Sequence, residues 1–247
     1  MKKHTVLVTG GTGGIGKAIC MALSDEGFSV VASCSGNSCK KMDIWQEEMK
    51  MQGYSIPLVR GDVADFDSCT KMVQDAEQLI GSIDILVNVA GITRDGSFRK
   101  MSTTQWQNVI RTNLDSVYNV TQQVINGMIE RRFGRIINIS SVNGQKGQFG
   151  QTNYSAAKAG MHGFTMALAQ EVAHKGITVN TVSPGYIATE MVMAVDEDIR
   201  KEIVKQIPVG RFGEPEEIAR VVSFLADEQS GFITGADMSI NGGMYMH

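Results

Sequence analysis

Short apolar runs alternate with longer segments of helical period along the whole chain. Thr5–Val8, Phe28–Cys34, Ser55–Arg60, Ile83–Asn88, Arg135–Ser140, Gly176–Ser183 and Met238–Gly243 predict seven strands, the last running into a turn. Between them the spacing predicts helices from the end of the first glycine loop to about Glu26, and over Lys40–Gln52, Phe66–Ile80, Asn113–Arg131, Asn153–His174 and Glu214–Leu225. Ser102–Trp106 has the character of a helix start, and Asp196–Gln206 predicts a charged helix suited to a lid. No linker, repeat or charge block divides the 247 residues. The alternation predicts one α/β domain over 1–247, a doubly wound seven-stranded parallel sheet.

The loop after the first strand reads Thr9-Gly-Gly-Thr-Gly-Gly-Ile-Gly16, five glycines in eight residues between a strand and a helix. Gly11, Gly13 and Gly16 fit one dinucleotide spacing, G-x-G-x-x-G, and Gly10, Gly14 and Gly16 fit a wider one. In either register the backbone can approach a pyrophosphate, which then rests on a helix N-terminus. The second strand ends at Cys34-Ser35-Gly36, where an NAD-preferring site carries an acidic residue. Hydroxyls, an amide and two cations (Asn37, Ser38, Lys40, Lys41) follow, which suits a ribose 2′-phosphate and points to NADP(H). Lys40 and Lys41 read equally as a solvated helix start. Asp62 ends the third strand, either to accept from an adenine amino group or to cap the next helix.

The chemistry concentrates in Ser141–Lys158. Ser141 sits at the carboxyl end of a strand, on the rim where α/β sheets bind ligands. Tyr154 and Lys158 are four residues apart and share a helix face. An ammonium beside a phenol favours the phenolate and lowers its pKa, making it a usable acid or base. A serine hydroxyl can hold the same carbonyl oxygen as charge develops. The trio suits carbonyl–alcohol redox chemistry if a hydride is supplied. Taken alone, Tyr154 reads as a core or interface residue and Lys158 as a solvated charge.

Composition narrows the picture. A net charge of −3 leaves no basic footprint for nucleic acid. The N-terminal apolar run breaks at Thr9-Gly10-Gly11, so neither a signal peptide nor a membrane span is expected, and a cytoplasmic location follows. The four cysteines (Cys20, Cys34, Cys39, Cys69) form no CxxC pair and read as reduced thiols. The four histidines lack metal-ligand spacing, so no zinc site is expected. Of the fifteen methionines, most read as core filler, with Met191 and Met193 in the lid region. Ala156, Ala159, Met161, Gly163 and Ala167 form a small-residue helix face fitted to subunit association.

Together, Thr9–Gly16, Asn88-Val-Ala-Gly91, Asn113, Ser141, Tyr154-x3-Lys158 and Pro184-Gly185 resemble the short-chain dehydrogenase/reductase family, a Rossmann-type fold, over essentially the full chain. The resemblance implies that Tyr154 is the acid/base, that Lys158 tunes it and binds the nicotinamide ribose, that Ser141 holds the carbonyl, and that Asn113 supports a proton-relay water. It implies cofactor contacts from Gly10, Thr12, Gly13, Gly14, Ile15, Gly16, Ser35, Lys40, Gly61, Asp62, Val63, Asn88, Ala90, Gly91, Ile92, Tyr154, Lys158, Pro184, Gly185, Ile187 and Thr189. Val89 departs from the family, which commonly has a second Asn there.

Within the family, Asn143–Tyr154, Ser183–Glu190 and Ile92–Asp95 look like acetoacetyl-CoA reductases of polyhydroxybutyrate biosynthesis. That likeness implies an acetoacetyl and pantetheine site lined by Asp95, Ser141, Gln148, Phe149, Gln151, Tyr154, Gly185 and Tyr186, with (R)-3-hydroxybutyryl-CoA as product and a homotetrameric assembly. A 3-oxoacyl-acyl-carrier-protein reductase is the alternative enzyme, with Arg131, Arg132 and Lys175 as docking cations or as plain helix-end charges. A non-catalytic NADP-binding regulator is the alternative of another class.

Overall fold

The structure is a computed structural model describing residues 4–40 and 42–246. Lys41, one of the two cations expected at the ribose, lies outside the described residues, as do the side chains of Asn37, Ser38 and Met191. The elements run β1 (Thr5–Thr9), α1 (Gly14–Asp25), β2 (Ser29–Cys34), α2 (Gly36–Cys39), α3 (Met42–Met51), β3 (Leu58–Arg60), α4 (Phe66–Ile80) and β4 (Ile85–Asn88). They continue as α5 (Thr103–Ile110), α6 (Ser116–Arg131), β5 (Gly134–Ile139), α7 (Val142–Lys146), α8 (Thr152–Val172), β6 (Ile177–Pro184), α9 (Glu190–Met193), α10 (Glu197–Lys205), α11 (Pro215–Ala226) and β7 (Asp237–Ile240).

All seven strands are parallel, in the order β3-β2-β1-β4-β5-β6-β7. The order reverses between β1 and β4, which opens a crevice at their carboxyl ends. Alternate side chains feed two cores. Val6, Val8, Ile85, Val87, Ile137 and Ile139 face α1, α3 and α11, whereas Leu7, Leu86 and Ile136 face α4, α6 and α8. Burying each such side chain contributes roughly 1.5–3 kcal/mol. The two-sided burial holds the carboxyl ends of the strands in one line.

Local chemistry sets the boundaries. β3 begins at Leu58 rather than Ser55 because Pro57 has no N–H to give the ladder; its carbonyl still accepts from Ala32 N at 3.0 Å. Asp65, not Asp62, caps α4, accepting from Ser68 N at 2.7 Å. Ser102 and Gln105 form a reciprocal capping box that starts α5. The helix expected from Asn113 begins earlier: α5 continues through a π turn at Arg111–Asp115 into α6. A π turn holds one extra residue, so Asn113 is swung off the regular face.

Two expectations about side chains are corrected here. The helix expected over Lys40–Gln52 is α3, with the short α2 before it. Cys34 and Cys39, however, are joined in a disulfide instead of standing as free thiols. Gly36, at φ +52°, turns the chain back so that the two Cα atoms are 5.3 Å apart, within bridging range. Cys20 and Cys69 are free and buried, and burial pushes the Cys69 thiol up to about 12. Met161 is fully buried, so it does not share the exposed face of Ala156, Ala159, Gly163 and Ala167. No helix among the described residues is long and apolar enough to cross a membrane, and no metal-holding cluster occurs among them.

Candidate active site

The glycine loop follows from steric limits at four positions. Gly10 has φ +63°, and a Cβ there would stand 2.9 Å from the Ala90 Cα. A Cβ on Gly16 would stand 2.4 Å from the Gly10 carbonyl. A Cβ on Gly14 would likewise strike the Thr189 methyl at 2.9 Å, whereas Gly13 has room. Gly11 is crowded too, because a Cβ there would stand 2.6 Å from the Ala32 Cβ. The fold therefore needs Gly10, Gly11, Gly14 and Gly16, and Gly13 is the one glycine of the narrower spacing that it does not require. Thr12, Gly13, Gly14 and Ile15 lie at the rim, and α1 starts with no side-chain cap and no acid in its first turn. Its free N–H groups and dipole favour an anion.

β1 and β4 are latched by a residue that sequence reasoning passed over. Thr9 Oγ1 accepts from Val89 N at 3.1 Å and Ala90 N at 3.3 Å. Asn88 is kept, but its amide donates to Asn138 Oδ1 at 2.9 Å inside the sheet. Asn138 continues to Thr165, and Thr165 to Thr181, so a polar rung crosses β4, β5, α8 and β6. What Asn88 presents to the rim is backbone. The same holds for Ile187, whose side chain belongs to the core. Pro184 ends β6, and Gly185 follows where a Cβ would meet the Asn241 Cα at 2.8 Å.

Asn113 is buried, and its carboxamide pairs with the backbone of one residue. Oδ1 accepts from Ile92 N at 2.8 Å and Nδ2 donates to Ile92 O at 2.9 Å. The side chain thus clamps the Gly91–Ile92 loop. A Cβ on Gly91 would come within 3.3 Å of Asn113 Oδ1 and 3.6 Å of Lys158 Nζ. The clamp therefore sets the loop directly over the ammonium.

Ser141, Tyr154 and Lys158 do converge. Ser141 caps α7 through Asn143 N at 3.1 Å, and its hydroxyl is near enough to the Tyr154 phenol to pull the phenol's pKa down. Lys158 is 3% exposed, donates from Nζ to the Ile139 carbonyl at 2.7 Å, and lies 5.7 Å from the Tyr154 ring centroid. The electrostatics differ from the expectation that the cation lowers the phenol's pKa. Burial raises Tyr154 above the ordinary tyrosine value, the Ser141 hydroxyl pulls it down, and the Asp95 charge pushes it up. Burial also brings the Lys158 ammonium down to about 7. Desolvation wins because the ammonium hydrogen-bonds a neutral carbonyl rather than a carboxylate.

The outer wall is a hydrogen-bonded chain. Gln151 Nε2 donates to Asp95 Oδ2 at 2.8 Å, and Asn143 Nδ2 donates to Gln151 Oε1 at 2.9 Å. Asp95 also raises the pKa of half-buried Tyr186, though less than burial does. Gln148 is exposed, and Phe149 is 90% exposed. Arg131, by contrast, sits at the amino ends of the strands, bound to Asp84 Oδ1 at 3.1 Å.

Behind the trio lies a second group that the sequence did not single out. Asp237 accepts from Ser183 Oγ at 2.6 Å and Gln145 Nε2 at 2.8 Å. His162 Nε2 lies 3.5 Å from Asp237 Oδ2 and 2.9 Å from Ser140 Oγ. Ser140 spends its own proton on the Lys158 carbonyl at 2.9 Å, so the imidazole donates to Ser140. β5, β6, β7, α7 and α8 are thus tied together beneath the site. Asp237→Asn puts an amide donor where an acceptor is needed, and should cost about 2 kcal/mol in urea unfolding.

At the far end of the rim, β2 and β3 border a cavity of about 770 Å³. Ser35, Gly61 and Asp62 line it as expected, and Val63 is buried beside them. Asp62 Oδ1 is already accepting from Ala64 N at 3.0 Å. Lys40 is exposed and is not among the lining residues, whereas Arg60 and Lys71 are. Arg60 was legible only as a cation at a strand's carboxyl end.

Residues 4–200 match the short chain dehydrogenase family. The acetoacetyl-CoA reductase of Cupriavidus necator is 58% identical over 246 residues, all of both chains. The enzyme of the same name from Allochromatium vinosum is 55% identical over 241 residues, 98% of each chain. The 3-oxoacyl-acyl-carrier-protein reductase of Staphylococcus aureus is 42% identical over 242 residues, again 98% of each chain. The site fits the dinucleotide this family uses. A Cβ on Gly10, Gly11, Gly14 or Gly16 would crowd the glycine cradle, the α1 N-terminus is uncapped, and the cavity adjoins the end of β2. The chain belongs to the short-chain dehydrogenase family and is an oxidoreductase served by a nicotinamide cofactor.

Proposed function

We propose that this chain reduces acetoacetyl-CoA to (R)-3-hydroxybutyryl-CoA with NADPH. The observation that carries the chemistry is the convergence of Ser141, Tyr154 and Lys158, with the Lys158 ammonium buried and 5.7 Å from the Tyr154 ring centroid. When bound, the nicotinamide supplies a hydride to the carbonyl carbon. Ser141 donates a hydrogen bond to the ketone oxygen as negative charge develops there. Tyr154 gives its proton to that oxygen, and burial keeps the proton on the phenol at neutral pH. Lys158 orients the nicotinamide ribose, and the Asn113 clamp on Ile92 keeps the roof over the ammonium. The Asp95–Gln151–Asn143 chain forms the polar wall against the thioester, with Gln148, Phe149 and Tyr186 on the pantetheine side.

The β2 end supports NADPH over NADH. It carries Ser35 and no carboxylate, with Arg60 beside it at the end of β3. A coenzyme A ester is favoured over a carrier-protein ester by Arg131, which is held by Asp84 at the opposite edge of the sheet. We also read the enzyme as a cytoplasmic homotetramer, supported by the exposed stripe of Ala156, Ala159, Gly163 and Ala167 on α8. Small residues there permit close helix–helix approach.

NADPH absorbance assays test the proposal. kcat/KM is expected to be higher for acetoacetyl-CoA than for the carrier-protein ester, and higher with NADPH than with NADH. Preference for the carrier ester would make the alternative reductase the right reading.

A further inference from the structure

We propose that Cys34–Cys39 is a reversible thiol–disulfide exchange site that sets affinity for the phosphorylated adenosine ribose. It rests on the NADPH reading above and takes a small dithiol as its reductant. Cys34 is the last residue of β2, 2% exposed, and its carbonyl accepts from Gly61 N at 3.0 Å. Its place in the sheet is paired with Arg60. Cys39 ends α2 and is only half buried. Both line the cavity at the adenosine end, together with Ser35, Gly36 and Arg60.

The bridge closes the short turn between the end of β2 and the end of α2. α2 has four residues, too few to be stable as an isolated helix. Gly36 at φ +52° costs more chain entropy than another residue would. With the bridge closed, Ser35 is held inside a small covalent ring and Lys40 starts from a fixed point. With the bridge open, Cys34 stays in the sheet and the turn is free to sample other conformations. Phosphate binding must then order it again, which weakens affinity. Cys20 and Cys69 are fully buried and do not line this cavity, so exchange is confined to one pair.

Exchange starts on the more accessible sulfur. A thiolate of the dithiol attacks Cys39 Sγ, forming a mixed disulfide and expelling the Cys34 thiolate, which takes up a proton. The reductant's second thiol then attacks its own sulfur in the mixed disulfide and expels the Cys39 thiolate, which is also protonated. Two electrons and two protons pass to the protein, and the reductant leaves as a cyclic disulfide. Disulfides of this kind in reducing compartments are commonly transient and sensing.

The test measures NADPH and NADH dissociation constants on the full chain, oxidised and after dithiothreitol. Alkylation and mass spectrometry count thiols in each state. Two alkylated cysteines are expected before reduction and four after it. The oxidised form should bind NADPH about three- to tenfold more tightly, with NADH affinity unchanged. Cys39→Ser should bind NADPH like the dithiol form under both conditions. Four free thiols under oxidising conditions would overturn the proposal, as would equal or tighter NADPH binding by the dithiol form. If NADPH is preferred over NADH equally in both states, the switch alone fails. If neither state prefers NADPH, the phosphate-ribose reading fails with it.

Discussion

Tyr154→Phe should lower kcat by about 10²–10⁴-fold while leaving the nicotinamide dissociation constant within about twofold. The substitution removes one oxygen and keeps the ring, so the 5.7 Å contact with Lys158 is retained. It takes away the phenol oxygen near the Ser141 hydroxyl, which is free to turn toward solvent or substrate. No other phenol can substitute, because Tyr186 lies on the neighbouring loop after β6 and packs against Phe212 at 6.5 Å. The pH profile gives a second readout. The wild-type phenol, raised by burial and by Asp95, keeps its proton through neutral pH, so reduction needs no prior protonation there. Oxidation of the alcohol needs the phenolate and should accelerate toward alkaline pH. Steady-state rates and cofactor fluorescence titration check both parts; survival of turnover would mean that another group is the acid.

Lys158→Met should also cost at least about 10²-fold in activity, and it should stabilise the fold. The ammonium is 3% exposed and has a pKa of about 7, against 10.5 for a free lysine. That difference corresponds to roughly 5 kcal/mol at most. Removing the amine orphans the Ile139 carbonyl, which returns about 1–3 kcal/mol of destabilisation. A net gain of about 2 kcal/mol remains. Its pH dependence has a definite sign. Below about pH 7 lysine is charged in both folded and unfolded chains, and the burial cost is fully present. Between about 7 and 10.5 the unfolded chain binds more protons, so wild-type stability rises with pH and the advantage of the variant shrinks. Urea unfolding at pH 6 and pH 9 measures the gap. A variant less stable than wild type at pH 6 would show that the buried ammonium carries no such cost.

Both predictions turn on what burial does, and burial was the quantity missing from the sequence. Spacing showed that Tyr154 and Lys158 share a helix face, because a helix fixes that relation locally. It did not show that the Lys158 Nζ would donate to Ile139, a residue on β5. Nor did it show that desolvation would outweigh the attraction between ammonium and phenol. The ribose end divides in the same way. Ser35 was legible from its position after β2, whereas Arg60 and Lys71 come from β3 and α4 and enter the cavity only through the sheet order. The five-residue separation of Cys34 and Cys39 carried no bridge signal until Gly36 turned the chain.

By itself the sequence determined the alternation of strands and helices, the glycine loop, the pause at Asn113 and the shared helix face of Tyr154 and Lys158. Each depends on relations within about twenty residues, where backbone geometry dictates the outcome. Tertiary structure decided which glycines of the loop are obligatory, because Ala32, Ala90 and Thr189 approach from other segments. It turned Asn88 and Ile187 inward, spent Asn113 on Ile92, and gathered Asp237, His162 and Ser183 beneath the trio. These outcomes depend on which strands become neighbours and how much water is excluded between them, and neither is a property of any one stretch of chain.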